Sequence, residues 1–228
     1  MNIIEPCCAE RQVGHLLREN RGHAALMQTN GDVTLEHWIK AVMLMSGDRP
    51  RTLTLAVPIL TDTIIRVVAR CMRLEWVAKL RLMTTDPLTC DIVKQFAKKA
   101  DCEIKAFLER IELAASVSIP DGLLAFSGPD GMVAIQGRIL DTVTPGLSLY
   151  VGIFGRTDSA GIRTIMDTWN ANFRARQYEI AIESQQTEQE AKPKKKRTTS
   201  RNIKNNETKP MEAVERTPQS EEENKRAE

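Results

Sequence analysis

The sequence predicts an α/β fold, a mixed β-sheet flanked by helices, followed by a disordered charged tail from residue 185. Three observations carry this. Short β-rich runs alternate with segments of helical periodicity as far as residue 108. A stretch with hairpin spacing follows, punctuated by Pro120-Asp121-Gly122 and Gly128-Pro129-Asp130-Gly131, and then one long helical pattern. After Ser184 the apolar periodicity stops and Gln, Glu, Lys, Thr, Asn and Pro dominate. Such a composition buries too little apolar surface to offset its ordering entropy.

Residues 10–19 read as a short helix. Residues 23–29 are a short apolar run closed by the turn signal Asn30-Gly31-Asp32. The next helix has Thr34 as N-cap and Glu36 in its first turn. Leu35, Trp38, Ile39, Val42, Met43 and Met45 follow helical spacing, and Gly47, Asp48 and Pro50 end it. Residues 52–57 suit a strand, which Pro58 closes. Thr61 or Asp62 caps a helix whose stripe is Ile64, Ile65, Val67, Val68, Cys71 and Met72. Residues 78–84 form a strand ending in Thr85-Asp86-Pro87. Residues 89–99 form a helix with Ile92, Val93, Phe96 and Ala97 facing inward, and residues 103–108 read as a strand. Strands are expected at 113–119, 122–126, 132–136 and 147–154. A helix over 157–184 presents Ile162, Ile165, Met166, Trp169, Phe173 and Tyr178 on one side. No internal repeat is visible.

The 228 residues suit one large domain, 1–184, plus the tail, 185–228. Aromatics are only 4%, so aliphatic side chains must build the core. The five cysteines show no disulfide spacing, no secretory signal precedes them, and no run approaches 18 apolar residues. A reducing cytoplasm is the expected location and no membrane contact is expected. The net charge of +2 hides a pattern. The tail holds 11 of the 32 Lys and Arg and 9 of the 30 Asp and Glu, leaving 21 of each in residues 1–184. The domain is therefore neutral, while residues 192–209 form a basic block and 211–228 an acidic one.

The order of elements resembles the phospholipase D-like superfamily, whose members act on phosphodiesters. There a βαβα half leads to a strand carrying His-x-Lys, then four residues and an Asp, then six residues and a Gly-Ser turn. The corresponding stretch here runs from Ala114 to Gly128. Ala114 stands at the His position, Ser116 at the Lys position, and Asp121 keeps the carboxylate. Gly128 opens the turn, but Pro129 replaces the Ser. The resemblance implies that the nucleophile and the phosphate-holding cation are lost. It also implies a homodimer, because the family pairs two such motifs.

Other residues carry candidate chemistry. Cys7, Cys8, His15 and His23 match no zinc spacing, and the cysteines read as free thiols near the N-terminus, so no metal or cofactor is expected. Asp62 and Asp86 lie at strand ends, where open α/β sheets bind ligands, yet each has a structural role as helix cap or turn residue. Trp38, Trp169, Phe173 and Tyr178 fit core or dimer contacts. Lys192, Lys194, Lys195, Lys196 and Arg197 form a dense cation cluster able to bind nucleic-acid phosphates.

The leading expectation is a non-catalytic, dimeric domain that binds nucleic acid or a partner protein, as in a phage or mobile element. One alternative is a divergent metal-dependent phosphodiesterase using Asp62 and Asp86, with Asp121 as a candidate third acid. Another is an assembly protein whose tail only solubilises it. Whether any catalysis survives is left open, with the balance toward none.

Overall fold

Among the described residues a mixed β-sheet of nine strands organises the fold. The structure, a computed structural model, describes residues 1–46, 51–129, 131–156 and 159–180. The tail and its basic run Lys192–Arg197, as well as Gly47, Asp48 and Pro50, lie outside the described residues.

In chain order the elements are β1 (Asn2–Ile3), a 3-10 turn (Pro6–Cys8), α1 (Ala9–Glu19), β2 (Ala25–Thr29), α2 (Leu35–Ser46), β3 (Arg51–Ala56), α3 (Asp62–Arg73) and β4 (Val77–Thr84). There follow α4 (Cys90–Lys99), α5 (Ile104–Glu109), β5 (Ile111–Ala115), β6 (Gly122–Gly128), β7 (Gly131–Gly137), β8 (Ser148–Gly155), α6 (Ala160–Ala175) and β9 (Gln177–Tyr178). The strands run β1-β2-β8-β7-β6-β3-β4-β5-β9 across the sheet. β3, β4 and β5 are parallel, as helical crossovers require, whereas β6, β7 and β8 are antiparallel neighbours, β6 and β7 joined by a tight turn and β7 and β8 by a longer loop.

Local chemistry sets the helix starts. Thr61 accepts the Ile64 N–H at 3.3 Å and Thr89 accepts the Ile92 N–H at 3.4 Å, so threonine rather than Asp62 caps α3. At α2 the His37 Nδ1 accepts the Thr34 N–H at 3.1 Å, the reach-back of a capping box with histidine at the third position.

Three elements differ from the sequence reading. Residues 104–109 are helical, not a strand. Ile104, Phe107 and Leu108 recur at three and four residues, and Phe107 is fully buried with its ring 5.0 Å from that of Phe96. β5 stops at Ala115 instead of running to 119. α6 ends at Ala175, because Gln177 and Tyr178 return to pair antiparallel with β5. The Tyr178 hydroxyl accepts the Leu88 N–H at 2.7 Å and so holds the chain on the sheet edge rather than on the helix.

Two apolar layers result. One face of the sheet packs Met27, Leu55, Leu82, Leu113, Leu124, Ile135 and Tyr150 against the helices α1 to α5. The other face packs Ala56, Met83, Ala114, Leu123, Ala125, Ala134 and Ile153 against α6, through Ile162, Met166 and Phe173. Four of those seven sheet residues are alanine, so the helix lies close to the strands. Within the described residues no helix is long and apolar enough to cross a membrane.

Candidate functional site

Strand register builds the site on the α6 face. Opposed residues of paired strands point to the same side. Leu26, Val151, Gln136, Leu123, Ala56, Met83 and Ala114 therefore form one lateral row across β2, β8, β7, β6, β3, β4 and β5. Leu123, Ala56, Met83 and Ala114 are buried beneath α6. A second row, Ile153, Ala134, Ala125, Thr54, Arg81 and Glu112, lies beside it.

At the carboxyl ends of β4 and β5 the first row opens into a cleft of about 250 Å³. Its walls include Ser116, Asp121, Gln136, Trp169, Asn172 and Arg176. This is where open α/β sheets bind ligands. Ser116 is buried, and its hydroxyl donates to the Ser118 carbonyl at 3.0 Å, so the loop consumes its donor. Asp121 is exposed at the rim. The Arg176 guanidinium donates to Asn172 Oδ1 at 2.9 Å, and the Ala115 N–H donates to the Arg176 carbonyl at 3.1 Å, which pins this cation to the end of β5. Trp169 is half-buried between core and cleft. Asp121 and Gln136 also line a second cleft, of about 480 Å³, whose wall is the apolar end of the sheet with Leu26, Leu149 and Val151. There Ile3, Leu26 and Leu149 are 60%, 59% and 54% exposed.

Of the residues singled out from sequence, Ser116 and Asp121 thus share a cleft, with Ala114 in the buried row at its base. Asp62 and Asp86 do not join them. Asp62 is paired with Lys99 and, at 3.1 Å, with Arg66; the Lys99 contact leads in holding its carboxyl below the usual range. Asp86 is exposed in its turn, where its backbone carbonyl accepts the Thr84 hydroxyl at 2.6 Å. Among the described residues, the group of metal-ligating side chains close enough to share an ion is Glu5, Cys7 and Cys8. His15 is instead 3.2 Å from Glu19 on the surface of α1. Trp38 is core, its ring 4.6 Å from that of Tyr150.

Sequence reading missed Gln136, Asn172 and Arg176. One signal was present: Trp169, Asn172 and Arg176 recur at three and four residues, one face of a helix turning toward its end. A further groove, about 360 Å³ between α2 and α3, has Ile39, Val67 and Trp76 as walls and Lys40, Arg66 and Arg70 at its rim. Its thiol, Cys71, is no nucleophile, since burial pushes its pKa up to about 12. The chain matches no known protein-family model and no curated protein.

Proposed function

We propose that this chain is a non-catalytic phospholipase D-like domain that binds nucleic acid and pairs with a second copy of itself. The observation that carries the reading is the filled lateral row. Where the resemblance calls for a nucleophile, a buried alkyl side chain stands instead, and where it calls for a phosphate-holding cation, the buried hydroxyl of Ser116 stands.

The hairpin of β6 and β7 repeats the family spacing one step later than the alignment on Ala114. Leu123 and Ala125, then Asp130 four residues on, then Gly137 after six more, match the His, Lys, Asp and Gly positions, with Arg138 for the Ser. Asp130 lies outside the described residues. In either alignment the position of the nucleophile falls in the same row, as Ala114 or as Leu123. An alkyl group has no electron pair to give to phosphorus.

Binding can outlast that loss because the rim is still polar. Trp169 offers a face on which a base can stack, Arg176 a cation for phosphate, and Gln136 and Asn172 amides for base edges. The cluster Lys192, Lys194, Lys195, Lys196 and Arg197 adds sequence-independent attraction through counterion release. Self-pairing is supported by the exposed apolar end of the sheet at Ile3, Leu26 and Leu149, next to the cleft. Five free cysteines suit a reducing compartment such as the cytoplasm.

The test is fluorescence anisotropy of the full chain with labelled single-stranded DNA, duplex DNA and RNA across a salt series. Trp169→Ala combined with Arg176→Gln is expected to weaken binding by about tenfold or more. Replacing Lys194, Lys195, Lys196 and Arg197 by Gln should weaken it and flatten the salt dependence. Unchanged affinity in the cleft variant would leave only a generic cationic tail, and the domain's role would be assembly. Phosphodiester cleavage that needs Mg2+ or Mn2+ and disappears in Asp86→Ala would restore the enzyme reading.

A further inference from the structure

We propose that Glu5, Cys7 and Cys8 form a site for a thiophilic divalent cation, Zn2+ or its softer congener Cd2+. Two adjacent cysteines ordinarily diverge, because neighbours point to opposite faces of a strand and about 100° apart on a helix. The 3-10 turn here brings them together: Cys7 Sγ and Cys8 Sγ are 3.5 Å apart, and Glu5 Oε2 is 3.9 Å from Cys7 Sγ. All three ligand atoms lie within 4.8 Å of one another and are open to solvent.

These separations suit coordination. At Zn–S bonds of about 2.3 Å, sulfurs 3.5 Å apart subtend about 100° at a shared ion. At a Zn–O bond of about 2.1 Å, the carboxylate oxygen subtends about 125° against Cys7 Sγ. Both angles are close to tetrahedral, and the fourth position faces water. A disulfide is the poorer use of the pair, since consecutive Cα atoms are about 3.8 Å apart across a trans peptide, closer than the 4.4 Å at which ordinary disulfides begin.

The ligands are held before any ion arrives. Ile4 and Ala9, on either side of the turn, are buried. The Ile4 N–H donates to the Gln28 carbonyl at 2.7 Å, the Cys8 N–H to the Glu5 carbonyl at 3.1 Å, and the Glu5 N–H to Gln12 Oε1 at 2.9 Å. Pro6 fixes its own φ inside the turn. The 11-residue α1 begins at Ala9, directly after Cys8, and so fixes where the turn ends. Binding displaces the thiol protons to solvent, two for each ion bound.

The test titrates the full-length chain, kept reduced by a phosphine, with Cd2+ alone and follows the thiolate-to-metal charge-transfer absorption. One equivalent should saturate the band. Cys7→Ser and Cys8→Ser should each remove at least half of it, and the double variant all of it. Glu5→Gln should weaken binding by about tenfold or more, at least the cost of losing an outer-shell partner. Cys90→Ser with Cys102→Ser should leave the band intact. Zn2+ should compete Cd2+ away. No band in the natural chain, or a band that survives in the Cys7→Ser/Cys8→Ser double variant, overturns the proposal.

Discussion

The guanidinium carbon of Arg81 lies 4.5 Å from the centre of the Phe173 ring. Arg81 belongs to β4 and Phe173 to α6, so this cation–π contact ties the helix to the sheet beneath it. The same guanidinium donates to Glu112 Oε2 at 3.1 Å and to Asn170 Oδ1 at 2.6 Å, and Lys79 also pairs with Glu112. The polar groups under α6 are thus satisfied by one another, beside the alanines that let the helix approach.

Stability should depend on pH through Glu112. Burial alone would raise its pKa, but Lys79 and Arg81 outweigh burial and hold the carboxyl below its ordinary value. A carboxylate depressed in the folded state adds stability above its unfolded pKa and loses that contribution as pH falls through the folded one. Glu112→Gln is expected to cost about 1–3 kcal/mol at pH 7, toward the lower end because the side chain is 28% exposed. The cost should shrink toward zero at pH values below the ordinary carboxylate range. Urea unfolding at neutral and acid pH checks this, and a cost that does not change with pH would assign the effect to packing alone.

Gly137 cannot gain a side chain cheaply. Its φ is +156°, and a Cβ there would meet the Leu149 carbonyl oxygen and Tyr150 Cδ1 at 2.5 Å each. Gly137→Ala should destabilise by about 2 kcal/mol or more, from backbone strain and overpacking together. Thermal unfolding followed by circular dichroism measures it. An unchanged Tm would mean that β7 and β8 shift apart at no cost.

Self-pairing through the apolar end of the sheet predicts a dimer in solution. Leu26→Glu with Leu149→Glu should convert it to a monomer while leaving Tm within a few degrees, because both side chains are more than half exposed. Sedimentation velocity on the full chain decides the point. A monomeric natural chain at micromolar concentration would remove the dimer from the proposal and leave the nucleic-acid cleft to its own test.

The features that could be read from the residues alone are local. Thr61 and Asp62 before a helical stripe mark the start of α3, alternating runs predict the strands, and the turn at 128–131 predicts the β6–β7 hairpin, because each signal acts within a few residues. The hairpin expected at Pro120-Asp121-Gly122 does not form, because β5 and β6 are separated in the sheet by β3 and β4. Even locally, periodicity was ambiguous over residues 104–109, where a short segment with Ile104, Phe107 and Leu108 fits strand or helix until Phe107 finds Phe96. Tyr178 continued the apolar stripe in sequence, yet its hydroxyl meets Leu88, 90 positions away. Ser116 and Asp121 were legible as candidates because they are near one another in the chain. Gln136 and Arg176 join them only in space, and Leu123 and Ala114 share a row only because β3 and β4 lie between their strands. Lateral register across a sheet depends on which strands pair, a choice made by burying two faces at once, so tertiary structure alone decided the site.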